Sequence, residues 1–291
     1  MRNEFTIAVV GIGLIGGSIL KAFRPKKFHL IGVSRSEETL RKAVELNLAD
    51  EISTDIDLVK SADVVFICTP ISKIISTIDA VRKIVRPDCI ITDVASLKGF
   101  IIDHVNDYSF PANYIGGHPM AGTEHQGIDY AVDDLFDGAK WVLTPSKWAN
   151  SNDVDKLKKL LHSIGAKTII ADAHQHDKAV ALISHLPLLL SETLFGFVES
   201  YPDDEIRELG LKLAASGFRD TTRLAGTNPE LAKDMLIENK INIKEAANEL
   251  KIYLDCLTSN LDTNKNEFVS QVEKISDKRK KMYSPEGINI Y

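Results

Sequence analysis

Short apolar runs alternate with amphipathic segments along the first half of the chain. The apolar runs predict buried β-strands, and the segments whose apolar residues recur every three or four positions predict helices. The predicted strands span residues 5–10, 28–33, 64–68, 89–92, 114–116, 141–144 and 168–171. The predicted helices span residues 14–23, 37–46, 71–84 and 154–164. This alternation indicates a mainly parallel sheet with helices on both faces.

The pattern changes near residue 173, where strand-like runs end and helical periodicity dominates. Helices are predicted over residues 174–198, 204–213, 229–238 and 241–261. Pro187 falls inside the first of these helices and should kink it, because proline has no N–H to donate. The polar tail after Asn264 either extends a helix or is mobile. We therefore expect two domains, residues 1–172 and residues 173–291.

Composition narrows the possible partners and compartments. The net charge is −6 and the sequence pI is about 5.8. This acidity argues against nucleic acid or an anionic membrane surface as a binding partner. Three widely spaced cysteines indicate neither a disulfide framework nor a metal site. The N-terminal apolar run is too short for a signal peptide, and no stretch approaches the length of a membrane span. We expect a cytoplasmic protein.

A glycine motif joins the first predicted strand to the first predicted helix. It consists of Gly11, Gly13 and Gly16, with Leu14 and Ile15 between the last two. GxGxxG in this strand-to-helix context is typical of a dinucleotide site, where the glycines permit a tight turn, close approach of the pyrophosphate and close helix packing. The fold class expected is therefore α/β, with an N-terminal Rossmann domain, doubly wound and mainly parallel, followed by an all-helical domain.

The end of the second predicted strand bears on the choice of cofactor. An NAD-specific domain usually has an acid there to bind the ribose hydroxyls, whereas this chain has Ser34, Arg35 and Ser36. Hydroxyls and a guanidinium suit a 2′-phosphate, so NADP is predicted over NAD. The alternative is an exposed turn whose arginine has no such role. Thr69 and Pro70 end another strand and are expected to line the cofactor crevice.

A histidine among glycines is the first candidate for chemistry. His118 follows a predicted strand beside the expected crevice, where it could act as a general base or simply cap a turn. Spacing alone leaves both possibilities open. His174 and His176 form an HxH pair, but alternate positions at a helix start point in different directions and no third ligand is evident. No metal site is predicted.

Five motifs together resemble the prephenate/arogenate dehydrogenase (TyrA) family. They are GIGLIGGS, TDVASLKG, GGHPMAGTE, SHLP and FRDTTRLA, spread in the family's order over most of the chain. The resemblance implies oxidative decarboxylation of a cyclohexadienol. Hydride passes to the nicotinamide, carbon dioxide leaves, and the ring becomes aromatic.

The resemblance also implies roles for individual residues. His118 matches the catalytic histidine that takes the proton of the ring hydroxyl, and Ser96 matches the serine that holds this histidine or hydroxyl near the nicotinamide. Arg223 matches the arginine that binds a substrate carboxylate. Three more residues match positions near the substrate: His185, Thr123 and Glu124.

Plain structural alternatives exist for two of these residues. Arg219 and Arg223 lie four positions apart and could form one solvated helix face with Asp220 as partner. His185 could be a buried histidine satisfied by a neighbour on its helix. Many members that use prephenate have SHLPH, whereas this chain has Leu188 at the last position, which resembles the arogenate branch.

The expected function is therefore NADP-dependent conversion of arogenate to tyrosine. The first alternative is a prephenate dehydrogenase that gives 4-hydroxyphenylpyruvate. Other Rossmann dehydrogenases, such as β-hydroxyacid dehydrogenases and pyrroline-carboxylate reductases, and a non-catalytic NADP sensor are the remaining alternatives. A homodimer is expected from the helix content and the resemblance. The short helical half leaves no room for a fused chorismate mutase or a regulatory domain, so a monofunctional enzyme is expected.

Overall fold

The computed structural model describes residues 4–107, 113–122 and 125–284. The chain divides into two compact units between Lys240 and Ile241. The first unit contains the sheet and the helices that surround it. A domain boundary at residues 172–173 within this unit stays a prediction.

A single sheet of eight strands forms the centre of the first unit, in the order β3-β2-β1-β4-β5-β6-β7-β8. The strands are β1 Thr6–Val10, β2 His29–Val33, β3 Glu51–Ser53, β4 Val64–Ile67, β5 Ile90–Asp93, β6 Asn113–Pro119, β7 Lys140–Pro145 and β8 Lys167–Ile170. Among the strand pairs of the described residues, only β6–β7 is antiparallel. The predicted α/β class with a mainly parallel sheet is confirmed.

Strand β1 shows why the apolar runs are continuous. Ile7 and Val9 belong to the core on one face of the sheet, while Ala8 and Val10 belong to the core on the other face. A strand that is buried on both faces has no position left for a polar side chain. The run therefore identifies a central parallel strand, although it cannot say which strands lie beside it.

Helices cover the sheet and then continue alone to the end of the first unit. They are α1 Leu14–Phe23, α2 Glu37–Glu45, α3 Ile71–Arg82, α4 Gly99–Asp107, α5 Ser151–His162, α6 Ala173–Val180, α7 Leu186–Glu199, α8 Asp204–Leu213, α9 Ser216–Thr221 and α10 Pro229–Glu238. Short 3₁₀ turns occur at Arg24–Lys26, Ile56–Ser61, Ile128–Tyr130 and Arg223–Gly226. Most predicted helices appear within two or three residues of their expected ends.

Three elements are absent from the sequence prediction. Strand β3 has only three residues and is partly exposed, so it lacks an apolar run. Helix α4 follows a segment whose sequence is typical of a turn. The start of α4 is held by Asp177, far along the chain, whose carboxylate accepts hydrogen bonds from Lys98 N and Gly99 N. Helix α9 has six residues, too few for a clear period.

The long helical segment predicted around Pro187 is interrupted as expected. A π-helical turn, Ala181–His185, separates α6 from α7, and Pro187 lies in the first turn of α7. Proline cannot donate to the preceding turn and its ring crowds that turn, which a π-turn relieves.

The same segment corrects one expectation about membranes. By length and composition alone, the 27 residues Ala173–Glu199 could cross a bilayer, with a mean hydropathy of 1.5 in their most apolar window. The statement that no stretch reaches this length is therefore wrong. The segment also holds the buried polar residues His176, Asp177 and His185, which is typical of a core helix in a folded protein.

The described part of the second unit, as far as residue 284, contains two helices. Helix α11 runs from Lys240 to Thr263, and α12 from Lys265 to Met282. Gln271 donates a hydrogen bond to the hydroxyl of Tyr253 over 3.2 Å. As far as Met282, the polar tail extends a helix.

Candidate active site

The glycine turn between β1 and α1 is shaped by close backbone contacts. Gly11 has φ +100°, and a Cβ there would come within 2.6 Å of the carbonyl oxygen of Cys68 on the neighbouring strand connection. A Cβ on Gly16 would overlap the carbonyl oxygen of Gly11. Glycine is therefore required at both positions by the protein's own backbone.

Gly13 differs from the other two glycines, because a Cβ there would meet nothing within 4 Å. Gly13 is the N-cap of α1, and no side chain caps this helix end. Leu14 and Ile15 open the first turn. The open space and the uncapped N–H groups fit the pyrophosphate of a dinucleotide.

The segment after β2 contains two serines that accept backbone hydrogen bonds and one exposed arginine. The Ser36 hydroxyl oxygen accepts a hydrogen bond from Thr39 N over 3.2 Å, and that of Ser34 accepts one from Ser36 N over 3.3 Å. Arg35 is exposed and forms no ion pair within the described part of the chain. The serines thus shape the turn, and the guanidinium remains available for an anion.

Residues after β4 lie beside the glycine turn, because β1 and β4 are neighbours. A Cβ on Gly11 would lie 3.0 Å from Thr69 N. The Thr69 hydroxyl donates to the Thr77 hydroxyl over 3.3 Å, and Pro70 is the exposed N-cap of α3. Both residues lie at the carboxyl edge of the sheet, and their contact with the cofactor stays a prediction.

Asp93 ends β5 and organises a buried polar cluster that the sequence analysis does not identify. Its carboxylate accepts hydrogen bonds from the Tyr114 hydroxyl over 2.7 Å and from Gly117 N over 3.0 Å. It also binds the ammonium of Lys98, and both of these side chains are fully buried. Burial lowers the pKa of Lys98, and the Asp93 charge opposes that effect. An Asp–Lys pair five positions apart in TDVASLKG was the available signal.

His118 lies near the end of β6 and is 9% exposed. Its Nδ1 is 2.9 Å from Nε2 of His176, and the two rings meet edge to face. Burial lowers the pKa of His118 well below its ordinary value, with smaller contributions in the same direction from His176, Lys98 and His185. A lowered pKa favours the neutral imidazole, which is the state that a general base requires.

His176 lies on the Nδ1 side of His118, and Asp177 contacts His176 in turn. Nδ1 of His176 is 2.8 Å from Oδ1 of Asp177. His174, by contrast, is exposed and pairs with Asp103 over 3.0 Å. The two histidines of the HxH pair thus point in different directions, as predicted, but the sequence pattern indicates no role for His176.

His185 is fully buried in the π-turn before α7. Its Nδ1 is 3.1 Å from Nδ2 of Asn239, the C-cap of α10, rather than from a neighbour on its own helix. Nε2 of His185 is buried and has no hydrogen-bond partner among the described residues. Burial lowers the pKa of His185 to about 4, partly offset by Asp177. A buried polar atom needs a partner, and a water molecule or a ligand could supply one here.

Of the four remaining predicted site residues, the structure describes two. Ser96 is half-buried after β5, and the described hydrogen bond of His118 goes to His176 rather than to Ser96. Arg223 is exposed at the start of a 3₁₀ turn, while Arg219 pairs with Asp220 over 2.8 Å. Two predicted residues, Thr123 and Glu124, lie outside the described residues.

Comparisons with known proteins extend over most of the chain. The sequence profile of the prephenate dehydrogenase nucleotide-binding domain matches residues 17–170, and that of the prephenate dehydrogenase dimerization domain matches residues 172–274. The chain belongs to the prephenate dehydrogenase family. The resemblance inferred from the five motifs is thereby confirmed.

Individual members of the family are similar over most of their own length. The prephenate dehydrogenase of Bacillus subtilis is 33% identical over 252 residues, which are 84% of this chain and 67% of that protein. The cyclohexadienyl dehydrogenase of Zymomonas mobilis is 33% identical over 239 residues, 80% of each chain.

Two solved structures of the family also match. Synechocystis arogenate dehydrogenase has a TM-score of 0.87 and 38% identity, covering 95% of this chain and 99% of that one. Prephenate dehydrogenase of A. aeolicus, solved with hydroxyphenyl propionate and NAD+, has a TM-score of 0.88 and 28% identity, covering 97% and 99% of the two chains.

Family membership decides between the broad alternatives. This member of the prephenate dehydrogenase family is an enzyme, an oxidoreductase that depends on a nicotinamide cofactor. A 3-hydroxyisobutyrate dehydrogenase of Salmonella typhimurium shares only the fold, with 12% identity and a TM-score of 0.59. Neither the β-hydroxyacid dehydrogenases nor a sensor without activity is therefore retained as an interpretation.

Proposed function

We propose that this enzyme converts arogenate to tyrosine by oxidative decarboxylation, with NADP as hydride acceptor and His118 as base. The observation that supports this most directly is the buried His118 at the carboxyl edge of the sheet, where burial lowers its pKa and favours the neutral form. That edge also holds the glycine turn, since β1, β4, β5 and β6 are parallel neighbours. Dinucleotides bind at this edge in open α/β sheets.

The chemistry requires one base and little else from the protein. A bound nicotinamide supplies the hydride acceptor. Nε2 of His118 takes the proton of the ring hydroxyl, because loss of hydride alone would leave a protonated ketone. Carbon dioxide then leaves as the ring becomes aromatic. Ser96 is proposed to help hold the hydroxyl or His118.

Substitution of His118 tests its role as base. His118→Asn should reduce kcat roughly 100-fold or more and leave the Kd for NADP unchanged. His174→Asn is the matched control, since His174 is exposed and pairs only with Asp103 among the described residues, and it should keep full activity. Unchanged kcat in His118→Asn would exclude His118 as the base.

Preference for NADP is supported by the exposed guanidinium of Arg35 just after β2, which forms no ion pair with any described residue. Arg35→Ala should weaken NADP binding roughly 10-fold, by loss of a charge-assisted contact, and leave NAD binding unchanged. Arg41→Ala is the control, because Arg41 is another exposed arginine, within α2. Equal or better kcat/KM with NAD in the unmodified enzyme would overturn the preference.

Preference for arogenate is supported by Leu188, which is 3% exposed and offers no hydrogen bond. The 38% identity to an arogenate dehydrogenase agrees with it. A four-way assay of arogenate and prephenate, each with NADP and NAD, tests both preferences. A clear preference for prephenate would refute the argument from Leu188 and favour a prephenate dehydrogenase.

Substrate contacts are proposed for His185 through its buried, unpartnered Nε2, and for Arg223 through a substrate carboxylate. The turn that begins at Arg223 is tied to α7 by a hydrogen bond from Ala225 N to the Ser191 hydroxyl oxygen over 2.9 Å. Thr123 and Glu124 remain candidates by resemblance. The helical substrate-binding domain is proposed to begin at residue 173.

A homodimer in the cytoplasm completes the proposal. Exposed apolar side chains lie along the segment from α6 to α7, including Ile183 at 67% and Phe197 at 60% exposure. Such a surface is typical of an interface, and the dimerization-domain profile covers it. Light scattering should give twice the chain mass, and Phe197→Glu should shift it toward the monomer. A monomer at micromolar concentration would refute this part.

A further inference from the structure

Three side chains form a line that ends at His118. Oδ1 of Asp177 is 2.8 Å from Nδ1 of His176, and Nε2 of His176 is 2.9 Å from Nδ1 of His118. His176 is 4% exposed and Asp177 is 6% exposed. The line is therefore shielded from solvent along its length, where hydrogen bonds are stronger than in water.

The hydrogen-bond partners of Asp177 imply one direction for the protons in this line. Asp177 also accepts hydrogen bonds from Lys98 N and Gly99 N, each over 2.8 Å, as a carboxylate does. Nδ1–H of His176 therefore donates to Asp177, which leaves a lone pair on Nε2 of His176. That lone pair accepts Nδ1–H of His118, and Nε2 of His118 keeps its own lone pair.

Among the described residues, no other carboxylate is linked to His118 through a hydrogen-bonded side chain. Lys98 and His185 are its other titratable neighbours, and both act against a positive charge on His118. Asp93 binds the N–H of the adjacent Gly117, but its charge is paired with Lys98. Negative charge therefore reaches His118 through His176.

We infer that His176 and Asp177 are positioning residues that hold Nε2 of His118 unprotonated and stabilise the imidazolium formed in the reaction. The inference rests on the proposed role of His118. The hydroxyl proton of the substrate moves to Nε2 of His118, and the Nδ1 proton of His118 is shared with Nε2 of His176. The carboxylate of Asp177 balances the positive charge, and no further reactant is needed. A triad of this kind works by orientation and charge.

His176→Leu is the most direct test, because leucine can neither accept the Nδ1 proton nor share the charge. It should lower kcat for the preferred substrate about 10- to 100-fold, with the KM for NADP changed less than twofold. His176→Gln places a carbonyl oxygen that can accept the Nδ1 proton, so it should recover part of the loss. His174→Leu, on the same helix, should have no effect.

A double-mutant cycle separates this role from a structural one. In the His118→Asn background, His176→Leu should cause no further loss of kcat, because its effect passes through His118. Equal losses in both backgrounds would overturn the inference, as would wild-type kcat in His176→Leu. Circular dichroism checks that each variant is folded. If His176→Leu does not fold, His176→Gln takes its place in the cycle.

The tautomer can be measured without any turnover. Nitrogen-15 NMR of histidine-labelled wild-type enzyme, assigned with the His118→Asn and His176→Gln variants, should show His118 protonated at Nδ1 and not at Nε2. Protonation at Nε2 would overturn the inference. If the wild-type enzyme oxidises neither arogenate nor prephenate, the proposed function fails, and the NMR result still decides the arrangement of the three side chains.

Discussion

Replacing Gly13 by alanine separates cofactor binding from folding. A Cβ at this position meets no protein atom within 4 Å, and its backbone, with φ −93° and ψ −154°, is extended and open to any residue. The expected change in the free energy of unfolding is within about 1 kcal/mol, because alanine is a poorer N-cap than glycine but restricts the unfolded chain.

Binding should respond much more strongly. The proposed pyrophosphate approaches the uncapped N–H groups of α1 at Gly13, where the new methyl group would stand. A hydrogen bond to a charged group contributes about 1.5–3 kcal/mol, so losing one such bond weakens binding roughly 10- to 100-fold. Titration of the protein with NADPH, followed by nucleotide fluorescence, measures the change in Kd.

Two other glycines provide the comparison. Gly210 lies within α8, also with open space for a Cβ, so Gly210→Ala should stabilise the fold by roughly 0.5–1 kcal/mol and leave the Kd unchanged. Gly16→Ala should disrupt folding, because its Cβ would overlap a backbone carbonyl. If Gly13→Ala binds NADPH as tightly as the wild-type enzyme, the phosphates do not lie where the glycine turn predicts.

Other variants probe the buried charges. Lys98→Met leaves Asp93 buried without its cation and should lower the free energy of unfolding by about 3–5 kcal/mol. Arg24→Ala removes one partner of a partly exposed ion pair and should lower the free energy of unfolding by less than about 1 kcal/mol. Equal losses for the two variants in urea denaturation would contradict this reasoning. Because burial lowers the native pKa of His185 to about 4, the unfolded chain binds a proton there between about pH 6.5 and 4 that the native state does not, so stability should fall as the pH drops through this window. Urea midpoints for His185→Gln should vary less with pH, and an unchanged slope would show that His185 is not responsible. Arg223→Ala should raise the KM for the cyclohexadienyl substrate roughly 10-fold and leave NADP binding intact, whereas an unchanged KM would mean that the carboxylate contact is misassigned.

The elements that could be predicted are those whose signal is local. Helix α1 is predicted to the residue, because a glycine turn, an apolar stripe and a closing Arg-Pro lie within the same short stretch. Strand β1 is equally clear, because both of its faces are buried. The β6–β7 reversal is different, since hydrophobicity shows that a strand exists but not the direction in which it runs.

The site could be predicted only where single residues stand out. His118 is recognised among glycines, and the resemblance supplied its role. The pairing of His118 with His176 joins positions 58 residues apart, and that of Asn239 with His185 joins positions 54 residues apart. Neither pairing leaves a periodic trace in the sequence, because partners of buried polar groups are chosen by tertiary packing.

The π-turn before Pro187 sets the rotational phase of two histidines. His185 follows His176 by nine positions, which in a regular helix at about 100° per residue would place the two side chains on opposite sides of the axis, about 180° apart. A π-turn accommodates roughly one extra residue, so the angle shrinks to about 80°. Both imidazoles can therefore turn inward, although a regular helix would have sent one of them outward. Pro187 thus affects the site indirectly, because it favours the π-turn that orients the preceding residues.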